Sequence, residues 1–330
     1  GLIPVLFANV DITQAFAVHR RLLVVFMYSM ILFWYGRKSL SHSLDIFNFY
    51  IVTYFILVLA IMNNMTGFNL ESTARLTNEL SGEYILNANS IGYFTFAAII
   101  SSFAKNMLKP NIQNFFMLYI INFIGLYFIL LSASRSAIIV FFVLFTSIIY
   151  THIKYYTFKN LLNFIFLPFV AIAIFIAGTI YFIGITENSF IFLRLLESSN
   201  EDARILHFFN AIDIALSNFF LGVGPGNYQL IYNAFNFGTF THNSFTEIFV
   251  SYGILGLIAY LMFIYSFISI KQNNVNIKSF KNIFLASFIL YHFFYVTYLT
   301  PLFMGLAINS YIFLKHLQNK NNEENFIHSR

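Results

Sequence analysis

The chain has 330 residues, of which 59% are hydrophobic and only 9% charged, with a formal net charge of +5 and a mean hydropathy of +0.74. A soluble domain is nearer a quarter charged, so the composition excludes a soluble globule and points to an all-α polytopic membrane protein. The surplus positive charge then reports a positive-inside bias rather than nucleic-acid binding, and the absence of cysteine excludes a disulfide framework and thiolate chemistry.

Taken in chain order, apolar runs predict about nine transmembrane helices, at roughly 22–36, 46–63, 90–104, 115–131, 137–150, 161–185, 243–270, 282–299 and 301–314. No cleavable signal peptide is read at the start. A first residue of glycine leads us to expect further residues upstream. Connecting segments alternate sides, and one side holds Lys38, Lys105, Lys109, Lys154, Lys159, Lys271, Lys278, Lys281, Lys315 and Lys320, which is every lysine. That side is cytoplasmic by the positive-inside rule. The opposite side receives Arg75, Arg135, Arg194, Arg204 and His242. Arginine offers a planar fork of donors that grips phosphate oxygens at two points. Arginines placed against the topological rule therefore suggest an anionic, phosphorylated ligand at the outer face.

The first long outer segment, 64–89, holds Arg75 and ends in Asn87-Ala-Asn89. Its asparagine reads as a cap for the next helix, and Arg75 divides evenly between solvated residue and ligand contact. The tight connection SASRS at 132–136 places Arg135 at the outer mouth. An arginine there is costly unless it is paired or wet, so it is expected to point into a shared cavity. The second long segment runs from 186 to 242. Within it, 201–217 reads as an amphipathic helix near the membrane surface, with Ile205, Phe208, Phe209, Ile212 and Leu216 as its apolar stripe and Arg204 in its first turn. For Arg194 a salt bridge or a snorkelling side chain suffices.

GVGPGN at 222–227 lacks the Lys-Ser/Thr of a nucleotide-binding loop. Its Gly222, Gly224 and Gly226 instead read as a tight turn. His242 then opens a long apolar run. A histidine there is commonly a cap, yet this one shares a side with the arginines, and a neutral imidazole accepts protons near physiological pH. Asn243 follows it, and Glu247, a turn further on, either orients the imidazole or hydrogen-bonds within the bundle. His152, His292, His316 and His328 receive no role, and no group of residues has metal-ligand spacing.

The run His242-Asn243, nine residues, then Gly253-x-x-Gly256 resembles the signature of the bacterial O-antigen ligase and polymerase superfamily. The preceding arginine-led helix, the turn NFFLGVGPGN at 218–227, the Ser-Arg-Ser element at 134–136 and the Arg75…Asn87-Ala-Asn89 loop are also similar to that family, and the likeness spans about 70–270. The resemblance implies transfer of glycans from an undecaprenyl-pyrophosphate carrier at the periplasmic face of the bacterial inner membrane. No cofactor, metal or nucleotide sugar is then expected. Arg135 and Arg204, with Arg75, would bind the pyrophosphate. His242 would act as general base, supported by Asn243, Glu247 and the three turn glycines.

On that footing the chain divides into membrane helices at 1–185, a large periplasmic loop at 186–242, and membrane helices with a cytoplasmic tail at 243–330. Arg204 and Gly222 are further apart than in some members. That departure, with a Phe/Ile/Asn-rich composition, favours a polymerase of O-antigen or capsule repeat units, with a chain-length regulator as a candidate partner. A ligase to lipid A-core and a protein O-oligosaccharyltransferase share the same expected site and remain alternatives. A transporter of lipid-linked glycan is the alternative from another class, but it would call for internal symmetry and ionisable residues at mid-membrane. Neither is read here.

Overall fold

A computed structural model of the chain describes residues 12–64, 88–131, 134–155, 201–228, 241, 243–295, 297 and 299–328. Among these residues the structure is all helical, with α1 (Ile12–Gly36), α2 (Leu40–Asn64), α3 (Ala88–Leu108), α4 (Ile112–Leu131), α5 (Arg135–Tyr155), α6 (Glu201–Ser217), α7 (Ser244–Ile268), α8 (Val275–Phe294) and α9 (Pro301–His328). Four segments are long and apolar enough to cross a membrane: Leu40–Met62, Ser90–Leu108, Ile112–Leu130 and Ser244–Ile268. Ser136–His152 is a shorter apolar stretch. The expected span at 161–185 lies outside the described residues.

Most helices outrun the apolar segments that announced them, because main-chain hydrogen bonding continues through polar flanks until a capping residue ends it. Asparagine supplies several starts. Asn111 Oδ1 accepts the Asn114 amide at 2.7 Å ahead of α4, and Asn274 Oδ1 accepts the amides of Asn276 and Ile277 at 2.9 and 3.3 Å ahead of α8. Pro301 starts α9, where its missing N–H costs nothing. The helix expected at 282–299 is displaced, running from Val275 to Phe294. The Tyr295 carbonyl is taken by the Ser244 hydroxyl at 2.6 Å, and Pro301 disfavours helix just before it.

The chain forms two compact units. One comprises Ser41–Glu197 and Gln272–Ser287. Here α3 packs along α4, and Gly125 of α4 admits the Thr95 methyl of α3. His152 of α5 is buried between them, its ring nitrogens hydrogen-bonded to the Asn106 amide at 2.8 Å and the Tyr119 hydroxyl at 3.2 Å. Hydroxyls on apolar helices are satisfied by their own backbone, as with Thr146 to the Phe142 carbonyl and Thr151 to the Ser147 carbonyl.

The other unit comprises Gly1–Leu40, Ser198–Lys271 and Phe288–Arg330. In it α1 packs on α9 and α6 on α7. His316 hydrogen-bonds the Gly36 carbonyl at 3.0 Å, and His292 bonds the Phe288 carbonyl and the Tyr260 hydroxyl. Their role is to fasten helices. The stripe expected on 201–217 is not the face that packs. Ala211 and Ala215 are fully buried in a cluster with Val223, Tyr228 and Val250, while Phe209 and Leu216 remain exposed. Small side chains permit close helix approach, which leaves the bulky stripe outward.

Candidate functional site

The centre of this unit is a junction between the end of α6 and a break in α7. Asn218 closes α6, its amide and side chain both donating to the Ile214 carbonyl. The chain then turns, with the Gly222 amide donating to the Asn218 carbonyl at 2.9 Å. Gly222, Gly224 and Gly226 all have positive φ, as a tight turn requires.

At the same level α7 is kinked at Gly253 (φ 66°, ψ −165°). In an unbroken helix the Ile254 amide would donate to the Val250 carbonyl. Instead it donates to the Phe219 carbonyl at 2.7 Å, and the Val250 carbonyl accepts from the Val223 amide at 2.8 Å. The Ser251 carbonyl likewise accepts from the Gly224 amide at 3.0 Å. The kink therefore exchanges helix bonds for bonds to the turn. Tyr228 closes the far side by donating its hydroxyl to the His207 carbonyl of α6 at 2.8 Å.

The start of α7 is held as tightly. Asn243 caps it, its Oδ1 accepting the amides of Phe245 at 2.9 Å and Thr246 at 3.2 Å. Glu247 is buried, and its carboxylate accepts the Thr241 amide at 3.1 Å and the Ser251 hydroxyl at 3.5 Å. Thr241 donates its hydroxyl to the Asn243 carbonyl at 2.9 Å. The residues on both sides of position 242 are thus fixed by polar bonds. Ser244 extends the anchorage by accepting the Thr297 amide at 2.8 Å while donating to the Tyr295 carbonyl.

This junction, with the capped start of α7, lies within residues 120–261, which match the family model described as O-antigen ligase. Residues 120–261 are similar to that family. The match bears out the resemblance to the O-antigen polymerase and ligase superfamily. No curated protein and no solved structure matches the chain.

The matched segment takes in Arg135, Arg204, Gly222, Gly224, Gly226, His242, Asn243 and Glu247, and leaves Arg75 outside its bounds. The structure brings the three glycines, Asn243 and Glu247 into one unit with α6, which carries Arg204 in its first turn. Arg135 is the first residue of α5, in the other unit. The side chains of Arg135 and Arg204, together with Arg75 and His242, lie outside the described residues. Of the two roles expected for Glu247, hydrogen bonding within the bundle is the one these contacts display.

Sequence reasoning gave no role to Thr241, Ser251 or Gly253 of the matched segment. Only Gly253 left a signal, since its spacing from His242 belongs to the motif.

Proposed function

We propose that this chain joins undecaprenyl-pyrophosphate-linked oligosaccharide repeat units at the periplasmic face of the bacterial inner membrane, as an O-antigen or capsule polymerase. What carries the reading is a segment similar to the O-antigen ligase family, whose histidine stands between two residues pinned by Glu247 and by its own helix cap.

On this reading nine crossings put the lysines in the cytoplasm and His242 outside. Arg135 and Arg204, joined by Arg75, hold the pyrophosphate. The acceptor hydroxyl oxygen attacks the anomeric carbon while His242 takes the hydroxyl proton. The bond from that carbon to the pyrophosphate oxygen breaks, and undecaprenyl pyrophosphate leaves with inverted configuration at the sugar. Charge developing on the leaving group is stabilised by the arginine forks. Glu247 acts through the backbone, holding Thr241 so that the imidazole is presented from a fixed start of α7. A chain-length regulator is a natural partner for such a polymerase.

The matched family is described as O-antigen ligase, so transfer of finished polymer to lipid A-core is the second reading. A lipopolysaccharide gel separates the two. A strain deleted for the gene is complemented with wild type or His242→Ala. Core carrying a single repeat unit, with the ladder restored by wild type alone, marks a polymerase. Bare core with polymer stranded on the carrier marks a ligase. Unchanged lipopolysaccharide, capsule and glycoprotein glycans overturn both.

A further inference from the structure

The tip of the turn after α6 is apolar and outward. Phe219, Phe220 and Leu221 are 41%, 70% and 51% exposed. Their main chain is nonetheless built into α7: the Ile254 amide bonds the Phe219 carbonyl, and the Val223 and Gly224 amides bond carbonyls of the kink. Between Asp213 and Glu247 the chain has no Asp, Glu, Lys or Arg. Phe209 and Leu216 of α6 continue the exposed surface on one side. On the other it meets the outward face of α7, where Leu255, Ile258 and Met262 are exposed.

The position of this tip along α7 sets its depth. A helix rises about 1.5 Å per residue, so Gly253 stands about 22 Å from Ile268 at the cytoplasmic end. The hydrocarbon core is about 30 Å thick. If α7 crosses the membrane with Ile268 at the inner boundary, Gly253 lies about 8 Å inside the outer boundary, and Ser244 stands above it. Irregular backbone at such a depth is tolerated only where its amides are paired. The amides of Gly222, Val223 and Gly224 are so paired, the first to the Asn218 carbonyl and the other two to the kinked helix.

We propose that Phe219-Phe220-Leu221 is a wedge that inserts among the acyl chains of the outer leaflet, with bilayer lipid as its partner. It seats α6, and with it Arg204, at headgroup level, while Thr241 and Asn243 stay in the polar layer. The proposal rests on α7 spanning the bilayer, as in the function proposed above. It adds that the α6 turn is held by lipid as well as by α7.

The cysteine-free sequence permits a direct test in the full chain reconstituted in phosphatidylcholine vesicles. A nitroxide is attached at Phe220→Cys, with Leu221→Cys as a second tip position. Met262→Cys marks the lipid face of α7, and Lys38→Cys marks water. Collision rates are read with oxygen and with a neutral nickel chelate. The expected result is that both tip labels match Met262→Cys, with chelate collisions at least about tenfold below Lys38→Cys, because a polar complex is excluded from hydrocarbon. Tip labels that behave like Lys38→Cys while Met262→Cys reports lipid overturn the wedge alone. Low collision rates with both reagents at the tip mean that protein covers it and overturn the wedge too. A Met262→Cys label that reports water overturns the spanning helix on which the proposal rests.

Discussion

Gly222 and Gly253 meet backbone to backbone: a Cβ added to Gly222 would lie 2.6 Å from the Gly253 nitrogen, and one added to Gly253 would strike the main chain of Phe220. Both residues also hold positive φ. Gly253→Ala therefore incurs left-handed strain of about 1–3 kcal/mol, plus the loss of a junction that cannot yield by moving a side chain. We expect a lower unfolding temperature in detergent and a collapse of glycan transfer. Gly222→Ala should behave alike. Thermal unfolding of both variants at wild-type temperature would show that the junction is not needed.

Gly125 provides a contrasting case. A Cβ there would collide with the methyl of Thr95, a side-chain atom. Gly125→Ala should destabilise the α3–α4 pair by about 1–3 kcal/mol, the usual range for overpacking. Thr95→Ser removes the methyl and should restore most of that loss. A double-mutant cycle of unfolding free energies measures the coupling, and strict additivity would contradict the contact.

Glu247→Ala leaves the buried Thr241 amide without its acceptor, a cost of about 1–3 kcal/mol. Glu247→Gln keeps an acceptor oxygen. The alanine variant should lose transfer rate more than protein level, and the glutamine variant should keep most of both. Equal behaviour of the two would mean that the hydrogen bond to Thr241 does not position the histidine-bearing segment.

Arg135→Lys and Arg204→Lys retain the charge but lose the two-point fork. Each should raise the lipid-linked donor concentration needed for half-maximal transfer by at least about tenfold, consistent with charge-assisted bidentate bonds being the strong ones. Wild-type donor dependence in both variants would make these arginines interfacial residues without a ligand.

Transfer by purified protein should persist in excess EDTA. Loss of activity that is reversed by added divalent cation would overturn the metal-independent mechanism.

The existence of the helices was legible because apolar runs in a chain this poor in charge have few other outcomes. Their ends were not, since α8 and α9 continue through lysines and asparagines that hydropathy reads as loop. The tight turn at 222–227 was legible from its glycines and proline. Its partner was not. Nothing local in YGILG at 252–256 announces that the helix breaks there to receive main-chain bonds from a segment some thirty residues earlier. The packing face of α6 was not legible for a related reason. Hydrophobicity favours Phe209 and Leu216, whereas close approach to α7 selects Ala211 and Ala215.

The link between α6 and α7 is made chiefly by amides and carbonyls, which every residue type except proline provides. Side chains along the junction are consequently free to diverge as long as glycine stays at 222 and 253. A lineage could replace the phenylalanines, alter sugar preference or change acceptor while the spacing between the arginine-bearing helix and the histidine-bearing helix start stayed constant. Such a joint transmits geometry across generations with very little sequence to show for it.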